Sequence, residues 1–280
     1  MVKRNVIGRK IGFAVLLFMV LAFVLIPFIM MITSSFKPPA EQTLFPPKVL
    51  PKKPTLEHYK GVLNPNVFPF LNYFKNSLII ALISAGIGVL IAIFGSYSFA
   101  RLEYKGRGII QRGVLLVYMF GGVLLVVPLF QIITKLGLFN TRAALIITYV
   151  VQTLPVSLYM LGNYFRTIPE AIEEAALIDG CNRLEVIYKI VLPLSAPAIV
   201  SVFIYAFMIS WNEYLFASVF INSEALRTLP IGLSQLFYTQ HYIWGRMMAA
   251  SLLTAIPVIV LFLSIERFIT GGLTFGGVKG

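Results

Sequence analysis

Very little in these 280 residues is equipped for chemistry. Cys181 is the one cysteine, and His58 and His241 are the two histidines. An intrachain disulfide is impossible, as is a zinc site of several cysteines, and two histidines so far apart make a poor metal site. No metal is expected. The pattern G-x-x-x-x-G-K-[ST] does not occur, so the chain has no P-loop of its own and is not the ATP-hydrolysing part of anything. A nucleophile elbow and an HExxH pair are missing too. Nothing supports an enzyme, and no cofactor is assigned to the chain. Charge is also scarce, at 12% of residues, with 11 acidic side chains against 23 basic ones. The net charge of +12 suggests nucleic acid only where cations form a patch. Here they lie between apolar runs, which is the pattern of membrane topology, and no nucleic-acid partner is expected.

Apolar residues are abundant: 58% of the chain, with a mean hydropathy of +0.87. That is the composition of a polytopic membrane protein. Residues 11–32 form an unbroken apolar run behind Lys3, Arg4, Arg9 and Lys10. The run exceeds a usual signal-peptide core and reads as an uncleaved first span. Residues 33–76 follow as a polar connection holding eight of the sixteen prolines, with one short helix expected over Thr55 to Val62. It reads as an outer spacer, or as a surface that helps seat an external partner. Five more spans are expected at about 77–100, 113–134, 143–165, 195–220 and 249–265. Ser84, Gly86, Gly88 and Gly95 in the second allow close helix approach. The expected fold is all-α with six transmembrane helices. It divides into residues 1–70 (first span and outer loop), a five-helix core at 71–266, and a glycine-rich tail at 267–280. Six spans put both termini on one side. With that side inside, the inner segments carry 13 basic residues and the outer ones 10, much of the latter in the long first loop.

The chain is organised around residues 166–194, RTIPEAIEEAALIDGCNRLEVIYKIVLPL. This stretch holds five of the eleven acidic residues, Glu170, Glu173, Glu174, Asp179 and Glu185, against Arg166, Arg183 and Lys189. Thr167 and Glu170 have capping-box spacing, with Pro169 in the permissive first turn. Gly180 is placed to end that helix in the left-handed conformation. Asn182 and Glu185 repeat the cap, and Pro193 limits the second helix. Ala175 and Ala176 give a surface that a partner approaches closely. The orientation above places this pair of short helices in the cytoplasm.

Glu174-Ala175-Ala176, three residues, Gly180, nine residues and Ile190-Val191-Leu192-Pro193 resemble the EAA loop of ABC importer permeases. Trp211-Asn212-Glu213-Tyr214 resembles the segment that follows this loop in carbohydrate-type permeases. The tail, with Gly271, Gly272, Gly276 and Gly277, resembles that of maltose-type permease subunits. The resemblance covers nearly the whole chain and implies the type I ABC importer permease fold. It implies that Glu173, Glu174, Ala175, Ala176, Asp179, Gly180, Ile190, Leu192 and Pro193 couple to an ATPase, with Glu174 and Gly180 foremost, and that the tail glycines dock there. By the same implication the partners are a second, related permease chain, two ATPase subunits holding ATP and Mg2+, an extracytoplasmic solute-binding protein, a sugar, and the lipid bilayer. The setting would be a bacterial or archaeal cell membrane, the inner one where there are two.

Polar residues in spans tend to face the bundle interior. Tyr149, Gln152, Tyr159 and Asn163 fall within about 80° of one another on a helix. With Tyr205, Asn212 and Glu213 they are the candidate pathway lining. Glu213 is the only ionisable residue well inside an expected span, which leaves proton coupling without partners. The tail glycines argue against a stable helix there. Three alternatives remain in view: an ABC permease for another solute class such as polyamine or phosphate, an ATP-independent secondary transporter, and a membrane scaffold.

Overall fold

The structure, a computed structural model, describes the backbone of residues 2–42, 44–46, 48–119, 121–236 and 244–274. His241, Gly276 and Gly277 lie outside the described residues. In chain order the helices are α1 (Val2–Ser35), α2 (Pro39–Gln42), α3 (Glu57–Leu63), α4 (Phe70–Arg101), α5 (Arg107–Met119), α6 (Gly121–Lys135), α7 (Arg142–Phe165), α8 (Glu170–Ile178), α9 (Arg183–Leu194), α10 (Ala196–Asn212), α11 (Leu215–Phe220), α12 (Leu229–Gln235) and α13 (Trp244–Thr274). Strand is absent among the described residues. Among the described residues, four stretches are long and apolar enough to cross a membrane: Gly12–Ser35, Phe70–Arg101, Arg142–Phe165 and Trp244–Ser264. The broken pairs α5–α6 and α9–α10 raise the number to as many as six.

Four expectations about the fold need correction, the first being the run 113–134, which is not one helix: α5 stops at Met119 and α6 starts at Gly121. The run 195–220 is not one helix: α10 stops at Asn212, Glu213 is extended, and α11 starts at Leu215. Pro193 does not end its helix. The chain passes through it after a π-helical stretch at Ile187–Val191 and turns by 82° only at Ser195. The wider ring spacing of a π segment is one way a helix takes up strain close to a proline. Gly271 and Gly272 stay helical, because α13 runs on to Thr274. Each glycine costs about 1 kcal/mol in a helix, but propagating a helix already nucleated adds a hydrogen bond per residue.

The chain forms two compact units. The first comprises residues 1–71 and 233–256. Its proline-rich segment folds around His58, which is 2% exposed. The His58 Nε2 atom lies 2.8 Å from the Lys37 carbonyl and 2.7 Å from Gln42 Nε2, and Gln42 Oε1 accepts the Gly245 N–H at 3.0 Å. A Cβ on Gly245 would come within 2.2 Å of His58 Nε2, so only glycine fits. Ser35 and Tyr59 share a 2.8 Å hydroxyl bond.

The second unit comprises residues 72–232 and 257–280. Here α4 packs on α7 where Gly95 removes a side chain; a Cβ there would lie 2.5 Å from Leu158 Cδ2. Ser96 Oγ donates to the Leu158 carbonyl at the same crossing. One apolar cluster gathers Tyr97, Phe165, Val186, Val191 and Val202, from α4, α7, α9 and α10. A second gathers Ile80, Leu145, Tyr149, Phe216 and Phe220, from α4, α7 and α11.

Candidate functional site

The polar stretch 166–194 folds as two helices joined at a glycine, as its local code requires. α8 runs from Glu170 to Ile178 with Asp179 as its C-cap, and Gly180 adopts φ +92°. This is the left-handed cap that only glycine takes without strain. α9 opens with a complete capping box. Asn182 Oδ1 accepts the Glu185 N–H at 2.9 Å, and Glu185 Oε2 accepts the Asn182 N–H at 2.9 Å. The Asn182 N–H, and then Lys189 3.0 Å away, hold the Glu185 carboxyl below its ordinary range. Glu185 in turn raises Lys189. The first expected box is not made. α8 begins after Pro169 without a side-chain cap, and the Thr167 hydroxyl donates back to the Tyr164 carbonyl at 2.7 Å.

The two adjacent glutamates of α8 part company. Glu173 is 3% exposed and faces inward. Its Oε1 takes the Arg101 Nε–H at 2.7 Å, and its Oε2 takes the Tyr97 hydroxyl at 2.9 Å. Arg101 also donates from Nη2 to the carbonyls of Phe165 (2.8 Å) and Ile168 (2.6 Å), and its Nη1 lies 3.5 Å from Glu170. One buried guanidinium thus holds α4, the end of α7 and α8 together, with each of its nitrogens satisfied. Ala176 is buried beside this anchor, and Ile190 and Leu192 pack half-buried on the same cluster. Glu174, Ala175, Asp179, Gly180 and Pro193 are exposed. Ile178, Leu184 and Tyr188 join them at 86%, 66% and 74% exposure. That is an apolar surface on an otherwise charged loop. A groove of about 750 Å³ runs beside it, lined by Arg101, Glu103, Arg107, Glu170, Glu174 and Arg183.

The candidate pathway residues do not share one environment. Tyr149 is 1% exposed, in the second apolar cluster, and Gln152 is half-buried. The Gln152 side-chain oxygen is buried without a hydrogen-bond partner, while the buried Tyr149 hydroxyl lies against the Glu213 carboxylate. Tyr159 and Asn163 are exposed, Tyr205 is half-buried, and Asn212 is exposed and bonded back to the Met208 carbonyl. Glu213 works on the backbone. Its carboxylate accepts the N–H groups of Phe216 at 2.8 Å and Ala217 at 3.1 Å, which caps α11 at the positive end of its dipole. Trp211 is 2% exposed, stacked on Phe207 and edge-on to Phe74.

Sequence reading did not single out Arg101, Tyr97, Asn76 or Asn140. Asn140, at φ +59°, accepts the N–H groups of Asn222 and Ser223. Asn76, fully buried, donates to the carbonyls of Ala225 and Arg227 and accepts from Arg142 at 2.9 Å. The available signal was charge: an arginine closes an apolar span in a chain whose acids concentrate in one loop.

Apolar helices of spanning length that carry one anchored polar helix pair define a multi-pass membrane protein. The comparisons make the class specific. Residues 85–270 match the family described as Binding-protein-dependent transport system inner membrane component, and the chain belongs to that family. It is 52% identical to the inner membrane ABC transporter permease protein YcjP of Escherichia coli (strain K12), over 97% of each chain. It is 41% identical to the trehalose/maltose transport system permease protein MalG of Thermococcus litoralis, over 91% of this chain and 92% of that one. A crystal structure of a bacterial ABC transporter involved in the import of the acidic polysaccharide alginate matches the fold. Its TM-score is 0.78 at 22% identity, with 92% of this chain and 95% of that one covered. The expected all-helical permease fold is thereby borne out, and the chain is the permease component of a binding-protein-dependent ABC transporter.

Proposed function

We propose that this permease forms half of the pathway of an ATP-driven importer for a sugar or oligosaccharide, and that residues 170–192 couple it to separate ATPase subunits. One observation carries the coupling role. α8 is anchored by a buried ion pair while Glu174, Ala175, Ile178 and Gly180 face outward, so the loop is stiff behind and open in front. ATP and Mg2+ belong to the ATPase subunits in this reading. A second permease chain completes the pathway, and an extracytoplasmic binding protein delivers the solute. Both termini are cytoplasmic, as the distribution of basic residues supports. The substrate class is supported by the relative named for trehalose and maltose. It is also supported by the buried, unpaired side-chain oxygen of Gln152, which suits a hydroxyl of such a solute. The glycines at 271–277 are assigned to ATPase docking.

The test is sugar uptake and ATP hydrolysis in proteoliposomes, with the chain co-expressed with its genomic neighbours. A panel of sugars is presented on the loaded binding protein. Hydrolysis stimulated by one loaded binding protein, with uptake of its sugar, is the expected result. Stimulation by a polyamine- or phosphate-loaded binding protein instead would change the substrate class. Uptake that needs no ATP would overturn the reading.

A further inference from the structure

A docking helix moves a membrane span only if something stiff joins the two. The Arg101 guanidinium is bonded to a carboxylate on α8, to the carbonyl of the last residue of α7, to one carbonyl just after it and, through Glu173, to a hydroxyl on its own helix. Both ionic side chains are nearly dry, at 6% and 4% exposure. A fork held at several points resists rotation as well as separation, which a point-charge lysine would not. The helix it terminates is also unusual. α4 runs 32 residues, about 48 Å, without a proline. Pro27, Pro128, Pro155 and Pro257 lie inside α1, α6, α7 and α13. The far end of α4 is fixed in turn. Asn76 holds the carbonyls of Ala225 and Arg227, and Ser77 Oγ accepts the Leu229 N–H at 2.7 Å.

We propose that Arg101 is the positioning residue that locks α8 to α4, so that a displacement imposed on α8 travels along α4 as one body to the loop at residues 224–229. The inference rests on the coupling role proposed above for α8. A rod fixed at both ends makes the two loops report on each other. Whatever docks on α8 biases the 224–229 loop, and whatever engages that loop biases α8 by the same free energy.

The experiment uses the full assembly in proteoliposomes and reads sugar imported per ATP hydrolysed. Replacing a buried pair by apolar residues is often neutral for folding, so the informative variant is the double Arg101→Met/Glu173→Leu. It is expected to bind the ATPase subunits and hydrolyse ATP while importing about tenfold less sugar per ATP. Tyr97→Phe, which removes one hydrogen bond and no charge, is expected to lower the ratio less. An unchanged ratio in the double variant, with uptake normal in the unmodified assembly, overturns this inference alone. Absence of ATP-dependent uptake in the unmodified assembly overturns the coupling role and this inference with it. A second measurement needs no change at the joint. Spin labels at Leu90→Cys and Ala171→Cys, in a Cys181→Ser background, are expected to keep one distance with and without trapped ATP. A change of about 5 Å, one helical turn, would show that α8 moves independently of α4 and overturn the proposal.

Discussion

Glu173 and Glu174 are neighbours with the same charge, and the helix turns them to opposite fates. A step of 100° points Glu173 into the Arg101 anchor and leaves Glu174 facing the groove. Their substitutions should separate in kind. Glu173→Ala strands a buried guanidinium, which costs about 3–5 kcal/mol, so the expected result is less protein in the membrane and a lower melting temperature. Glu174→Ala removes an exposed side chain and should change stability by no more than about 0.5 kcal/mol, yet lower ATP-driven uptake at normal protein levels. Immunoblotting, thermal melts and uptake on the same preparations check both. Normal uptake by Glu174→Ala would remove Glu174 from the coupling surface. Glu185 is a third case. Its folded-state pKa is lowered, so its contribution to the α9 cap is complete above the ordinary carboxylate pKa near ~4.3. That contribution is lost only as pH falls through the lowered value.

The broken span shows what an element needs beyond apolar residues. Hydropathy runs on through Asn212 to Phe220, but the helix stops because the Glu213 carboxylate competes for the first N–H groups of a new helix. α11 is only six residues long, and Phe216, Ala217 and Phe220 are all buried. Glu213→Ala leaves two buried N–H groups unpaired, at about 1–3 kcal/mol each. The expected outcome is a clearly lower melting temperature in detergent. Glu213→Gln should lie between, since an amide oxygen still accepts. A melt of the Ala variant at the unmodified temperature would mean that α11 does not depend on this cap. This break also marks where sequence reading stops. Spans, the Gly180 turn and the Asn182–Glu185 box were legible because each depends on residues within a turn or two. The Arg101–Glu173 pair, 72 residues apart, was not. Nor was the missing Thr167 cap, whose hydroxyl went to Tyr164. The stripe Tyr149, Gln152, Tyr159, Asn163 was read on an isolated helix, and only packing separates the buried Tyr149 from the exposed Tyr159.

For the molecule as a whole, the proposed function requires α8 and α9 to lie on the ATP side of the membrane and the proline-rich segment on the other. The basic residues favour that arrangement by a narrow count, so a direct measurement is worth more than the count. The composition supplies the probe, because Cys181 is the single cysteine and sits half-buried between α8 and α9. A membrane-impermeant maleimide should label it in inside-out vesicles and leave it unlabelled in intact cells. A Phe45→Cys/Cys181→Ser variant should behave in the opposite way, since Phe45 is 93% exposed in the segment between the first two spans. In the arrangement that the proposed function requires, labelling of Cys181 from outside would invert every segment between the spans. It would put the anchored helix pair where no ATPase subunit can reach it. The coupling role of residues 170–192 and the transmission assigned to Arg101 would then both fall, while membership of the permease family, which rests on the chain's length of matched sequence, would stand.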